Sequence, residues 1–152
     1  EIPPLFFFLV VLSGLCASLQ RYRGQDKVVI VSQWTSLLRI VARFLRAHRL
    51  QFFTIDSSVT QKARSEIMTD FNDNSHNVKL LLLSMSAGGV GLNLIGANHL
   101  VLLDLHWNPA VEKQVFDRIY RVGQKKRVHI HKLVTNNTVE ATILSIQEEK
   151  NK

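Results

Sequence analysis

The chain has a single cysteine, Cys16. One thiol leaves no internal disulfide and no cysteine-based zinc site, which points to a reducing, intracellular setting. Carboxylates are the minority charge, 12 Asp and Glu against 19 Lys and Arg, for a formal net charge of +7. That balance favours an anionic partner, with nucleic acid or nucleotide ahead of a membrane surface. No unbroken apolar run is long enough for a transmembrane helix, so no membrane partner is expected. Internal repeats and low-complexity tracts are also missing.

What is present is the composition of a folded domain. The apolar fraction is 46% and the charged fraction 20%, and 152 residues suffice for one domain with a real core. Residues 1–24 differ from the rest. Pro3-Pro4 is followed by the apolar run Leu5-Phe6-Phe7-Phe8-Leu9-Val10-Val11-Leu12 and then by small residues. The run resembles the core of a signal peptide, but no basic segment precedes it. It reads as a packed or fortuitous apolar extension, including one arising from imperfect gene prediction, with a signal or anchor segment and then a functional element as the alternatives. The chain starts at Glu1, as a processed protein or a fragment would.

From Lys27 onward the pattern is regular. Val28 to Val31, Phe52 to Ile55, Val78 to Leu83, His99 to Asp104 and Val128 to Val134 read as strands. Residues 34–49, 60–72, a segment opening at Pro109, and 138–149 read as helices. Strands alternating with helices of this length predict an α/β domain, with a mostly parallel sheet covered on both faces. Such sheets place ligands at the carboxyl ends of their strands. The loops of interest are then Ser32-Gln33-Trp34, Asp56-Ser57-Ser58, Ser84 to Gly91, and Asp104 to Pro109.

Three groups of residues carry chemistry. Gln114, Asp117, Arg118 and Arg121 recur at i, i+3, i+4 and i+7, on one face if the segment is helical, with Val111, Val115, Ile119 and Val122 opposite. The face is either solvated, with Asp117 and Arg121 as an ordinary ion pair, or a pair of guanidiniums aimed at phosphate. Ser84-Met85-Ser86-Ala87-Gly88-Gly89-Val90-Gly91 follows a strand with glycines that would let backbone N–H groups approach a phosphate, or would only form a tight turn. It is neither a Walker A loop nor a dinucleotide fingerprint. In Asp104-Leu105-His106-Trp107-Asn108-Pro109 a polar cluster joins a strand end to a helix start, with Asn108 as a candidate cap. Arg39, Arg43 and Arg46, and Lys125-Lys126-Arg127, are basic rows that either contact phosphates or face solvent. His129 and His131 share a strand face, but without a third ligand they assign no metal site. No Ser/His/Asp grouping has a convincing context.

Taken in order, these blocks resemble the C-terminal RecA-like lobe of the Swi/Snf family of helicase-like, ATP-dependent DNA translocases. Lys27 to Trp34 resembles the family's opening strand motif. Ile55 to Val59 with Arg64 and Phe71-Asn72 resembles the next block, and Ser84 to Leu94 resembles motif V. Asp104 to Pro109 with Gln114, Asp117-Arg118, Arg121 and Gly123-Gln124 resembles the stretch ending in motif VI. The match covers about residues 27–150 and leans toward a transcription-termination subgroup. The resemblance implies a RecA-like three-layer sandwich of the P-loop NTPase type over residues 25–152.

It also implies roles. Arg118 and Arg121 would be arginine fingers reaching the γ-phosphate of ATP. Gln114 and Asp117 would orient them. Gly89, Gly91, Asn93 and Gln124 would support the nucleotide site and couple it to DNA. Ser32, Gln33, Asp56, Ser58, Ser84 and Trp107 would lie toward double-stranded DNA. ATP with Mg²⁺ would be bound mainly by an N-terminal RecA-like lobe, because this chain has no Walker A and no Asp-Glu-x-His box. RNA polymerase or chromatin in the nucleus would be the further partners. A non-catalytic DNA- or protein-binding module is the alternative for a chain without that lobe. Three departures stand out: Ser57 replaces a customary glycine, so its turn is expected to be strained or altered; Ser86 replaces a frequent lysine, which would remove one phosphate contact; and residues 1–18 do not resemble the expected family segment.

Overall fold

The computed structural model describes residues 13–15, 19, 26–75, 77–87, 91–133 and 139–150. The expectations for residues 1–12 and for Gly89 lie outside these.

Five strands form one sheet: β1 (Val28–Ser32), β2 (Phe53–Ile55), β3 (Leu80–Ser84), β4 (His99–Leu102) and β5 (His129–Lys132). Every pairing is parallel, and the order is β2-β3-β1-β4-β5. The central strand β1 puts Val28 opposite both Leu80 and His99. Its residues are buried on both faces, which explains the continuous Val-Val-Ile-Val run in place of an alternating pattern.

The helices are α1 (Thr35–Ala47), α2 (Gln61–Asn72), α3 (Pro109–Ile119) and α4 (Val139–Lys150). Alternate strand residues feed two cores. Val28, Ile30, Leu80, Leu82, Val101 and Leu103 pack with Leu37, Leu38, Val41 and Leu45 of α1. Val29, Val31, Leu81, Leu83, Leu100 and Leu102 pack with Met68 and Phe71 of α2 and Val115 and Ile119 of α3. The result is the expected α/β three-layer sandwich. Leu15 is also buried in the α1-side core.

Local chemistry sets the helix ends. Asn108 caps α3 by accepting from the Ala110 N–H at 3.1 Å, and Pro109 occupies the first turn as predicted. Thr60 caps α2 through the Ala63 N–H at 3.3 Å. The helix α3 stops at Ile119, earlier than the i, i+7 spacing required, so Arg121 is not on the face that holds Gln114 and Arg118. Val122, expected to face inward, is fully exposed.

Candidate functional site

Because all strands run the same way, their carboxyl ends share one edge. Ser32 and Gln33 end β1 there, and a buried carboxylate on the neighbouring strand fixes them. Asp104, only 3% exposed, accepts from the Ser32 hydroxyl and, at 3.0 Å, from the Gln33 N–H. The Gln33 side-chain amide donates to the Leu105 carbonyl at 3.0 Å, and the Trp34 N–H donates to Ser32 Oγ at 3.0 Å. The loops after β1 and β4 are thus one hydrogen-bonded unit that presents Trp34 and Trp107 to solvent, 51% and 58% exposed. Lys150 lies 4.3 Å from the centroid of the Trp107 ring.

The loop after β2 is also built from within. Asp56 accepts from the Ser58 N–H at 2.9 Å and from its hydroxyl. The Ser58 hydroxyl is the largest cause holding the Asp56 carboxyl below its usual range. Arg64, buried behind the loop, donates to the Val59 and Asp56 carbonyls at 3.0 and 3.1 Å. The strain expected at Ser57 is not found: among the described residues only Arg49, at 57°, is a non-glycine with positive φ. Ser84, at the end of β3, is buried, and exposed Ser86 lies 3.4 Å from it, hydroxyl to hydroxyl.

The chain then runs to the opposite, amino edge of the sheet. There the Asn72 side chain donates to the Asn93 carbonyl at 2.9 Å and accepts from the Gly96 N–H at 2.9 Å. The Leu94 N–H donates to the Arg118 carbonyl at 3.1 Å. The Gln124 amide donates to the Ala97 and Ile119 carbonyls at 2.9 and 3.0 Å, sealing the end of α3. Gly91 and Gly123 take φ of 59° and 102°, which glycine alone adopts without strain. Asp117 pairs with Lys113 at 3.0 Å and not with Arg121. Gln114 and Arg121 are exposed and Arg118 is half-buried.

The predicted residues therefore form two groups. Ser32, Gln33, Asp56, Ser58, Ser84 and Trp107 gather at the carboxyl edge. Asn93, Arg118, Arg121 and Gln124 gather at the amino edge, about 14 Å away along α3 at 1.5 Å per residue.

Several structural anchors escaped the sequence reading. Glu112 is 1% exposed; it accepts from the His106 N–H at 2.9 Å, Gln147 at 2.8 Å and Lys132 at 3.1 Å. A signal existed: Glu112, Val115 and Ile119 follow the helical spacing of one inward face. Lys27 is buried, its ammonium held by the Phe71 and Asp73 carbonyls, and burial is the main cause lowering its pKa. His99 joins the two predicted histidines: its Nδ1 lies 3.3 Å from His131 Nε2, its ring stacks 4.9 Å from that of His129, and its Nε2 is 3.7 Å from Asp26. Among the described residues no group of three or more His, Cys, Asp or Glu is arranged to hold a metal ion.

Residues 11–123 match the helicase conserved C-terminal domain. Transcription termination factor 2 of Drosophila melanogaster is 51% identical over 127 residues, 84% of this chain and 12% of that protein. DNA repair and recombination protein RAD54B of Homo sapiens is 41% identical over 142 residues, 93% of this chain and 16% of that protein. The crystal structure of the C-terminal part of the Fun30 ATPase domain superposes with a TM-score of 0.85 at 31% identity, covering 90% of this chain and 44% of that one. The chain spans less than a fifth of the length of these two curated relatives. It belongs to the helicase conserved C-terminal domain family, among relatives of Swi/Snf type.

Proposed function

We propose that residues 25–152 are the C-terminal lobe of an ATP-dependent double-stranded-DNA translocase. It acts in the nucleus, in transcription termination or chromatin-associated remodelling, against RNA polymerase or chromatin; residues 1–24 precede it, with Leu15 packed into its core and the family match reaching back to residue 11. The carboxyl edge is the DNA face, through Gln33, Asp56, Ser58 and Trp107, with buried Ser32 and Ser84 holding its loops from behind. The amino edge completes a nucleotide site, with Arg118 and Arg121 as its arginine fingers and Gln114, Asp117, Gly89, Gly91, Asn93 and Gln124 in support.

One observation carries this reading. A single length of chain leaves the carboxyl edge at Ser84 and is hydrogen-bonded, through the Leu94 N–H, to the carbonyl of Arg118 itself. A motor needs that connection, because a change at the nucleotide must be felt at the DNA.

The amino edge suits the phosphates of ATP. Two guanidiniums stand at the end of α3, and planar fork donors of this kind match phosphate oxygens. Mg²⁺ and most of the nucleotide would be held by an N-terminal RecA-like lobe. When bound, ATP supplies the phosphoryl transfer; these arginines would orient and neutralise charge. Arg121 stands between exposed Tyr120 and Val122. Arginine amid aromatic and apolar groups is the composition of an interface core, as docking of a second lobe requires.

The test uses the full-length protein with both lobes. Arg121→Ala is expected to lower DNA-stimulated ATP turnover on the order of 10³-fold while duplex binding stays nearly intact. Equal loss of both would reject the finger role. The 152-residue chain alone is expected to show no DNA-stimulated ATP hydrolysis.

A further inference from the structure

The basic row on α1 remains outside the functional reading. Arg39, Arg43 and Arg46 project from α1 into a groove of about 380 Å³, walled by Thr35, Thr54 and Asp56. All three arginines are exposed. Among the described residues none makes an ion pair with a carboxylate. Arg46 rests 5.3 Å from the centroid of the Phe52 ring. The one carboxylate in the groove, Asp56, accepts from Ser58 and attracts Arg39 at the groove's upper end.

Like charges at i, i+4 on a helix repel by a few tenths of a kcal/mol; among the described residues the Asp56 carboxylate offsets this at Arg39, and no ion pair does so at Arg43 or Arg46. The helix dipole favours Arg46 in the last turn but gives no such benefit to Arg39 in the first half. A linear polyanion would compensate all three. From Arg39 to Arg46 the helix advances about 10.5 Å, and one DNA strand carries a phosphate roughly every 3.4 Å of axis, so the row spans about three phosphates. Thr35 and Asp56 put the upper end of the groove at the carboxyl edge, beside Gln33 and Ser58. Phe52 puts its lower end past the outer strand β2.

We propose that Arg39, Arg43 and Arg46 form a second contact for the phosphodiester backbone of double-stranded DNA, carrying the DNA face from the carboxyl edge down the outer side of α1. This rests on the DNA-binding reading above.

The experiment measures binding of a fluorescently labelled short duplex to the 152-residue chain across a salt series. Replacing all three arginines by alanine is expected to weaken binding at low salt by about tenfold or more, and to reduce the slope of log K against log[salt] by about 2–3. Replacing all three by lysine keeps the slope. If the triple alanine variant does not fold, single replacements are expected to reduce the slope by about 1 each. Wild-type binding with an unchanged slope in the alanine variants would overturn the ladder alone. Failure of the wild-type chain to bind any duplex would overturn the DNA reading and the ladder together. Tighter binding of a glutamate-rich peptide than of duplex at this groove would assign it to an acidic protein and overturn the proposal.

Discussion

At the scale of single residues, Gly96 shows how closely the amino edge is fitted. A Cβ built there would sit 2.6 Å from Asn72 Oδ1 and 2.8 Å from the Asn72 Cα. The second atom is backbone, so no rotamer change relieves the clash. Gly96→Ala must displace the end of α2 or the segment after Asn93, and it disturbs both hydrogen bonds of the Asn72 side chain. The expected cost is about 1–3 kcal/mol in unfolding free energy by urea titration. Gly91→Ala meets no atom within 4 Å and is penalised only through its φ of 59°; it should cost less, about 1 kcal/mol. Equal costs at the two positions would mean that the Asn72 contact is not what fixes Gly96. Neither constraint is visible in sequence, where Gly96 looks like any turn glycine.

At the scale of elements, α3 is the part on which both candidate edges depend, and Glu112 ties it to its neighbours. One carboxylate joins the loop after β4 through His106, the edge strand β5 through Lys132, and α4 through Gln147. Removing it leaves a buried N–H and an ammonium without their acceptor. Glu112→Ala is expected to destabilise the domain by about 2–4 kcal/mol, toward the lower end of buried ion pairs because Lys132 keeps partial solvent access. A double-mutant cycle with Lys132→Met should give a coupling energy of about 0.5–3 kcal/mol; strict additivity would show that the two act separately.

The same helix shows what sequence could and could not supply. Asn108 and Pro109 announced its start, and Val115 and Ile119 announced its inward face. Its end was misread, because periodicity continued through Arg121 and Val122 while the backbone did not. Tyr120 leaves the helical region at φ −85°, ψ 71°, and Gln124 closes the last turn with its side chain. Gly123 and Gln124 were the available stop signals, yet a side-chain seal reaching back five residues has no period to detect. The sheet order was equally hidden, because strand composition records burial but not neighbours. The carboxyl-edge loops were legible for the opposite reason: parallel topology assigns them to one edge whatever the order.

At the scale of the whole molecule, the sheet has two edge strands, and one of them, β5, carries two histidines that meet His99 of β4. His99, on β4, stacks against His129 and approaches His131, both on β5, with Asp26 on its other side. Burial is the largest cause holding the His99 pKa below 6.5; the two neighbouring histidines push the same way, and Asp26 opposes them. Between that lowered value and 6.5 the unfolded chain binds more protons at this position than the folded chain does. Stability therefore rises with pH across this window and falls as the solution is acidified through it. Above 6.5 the residue is neutral in both states and contributes no slope. Urea titrations on either side of that pH should show the wild-type domain losing stability on acidification, and His99→Gln should flatten the loss while leaving the plateau at higher pH close to wild type. An unaltered slope in the variant would place the titration elsewhere and would leave the β4–β5 pairing indifferent to the charge of His99.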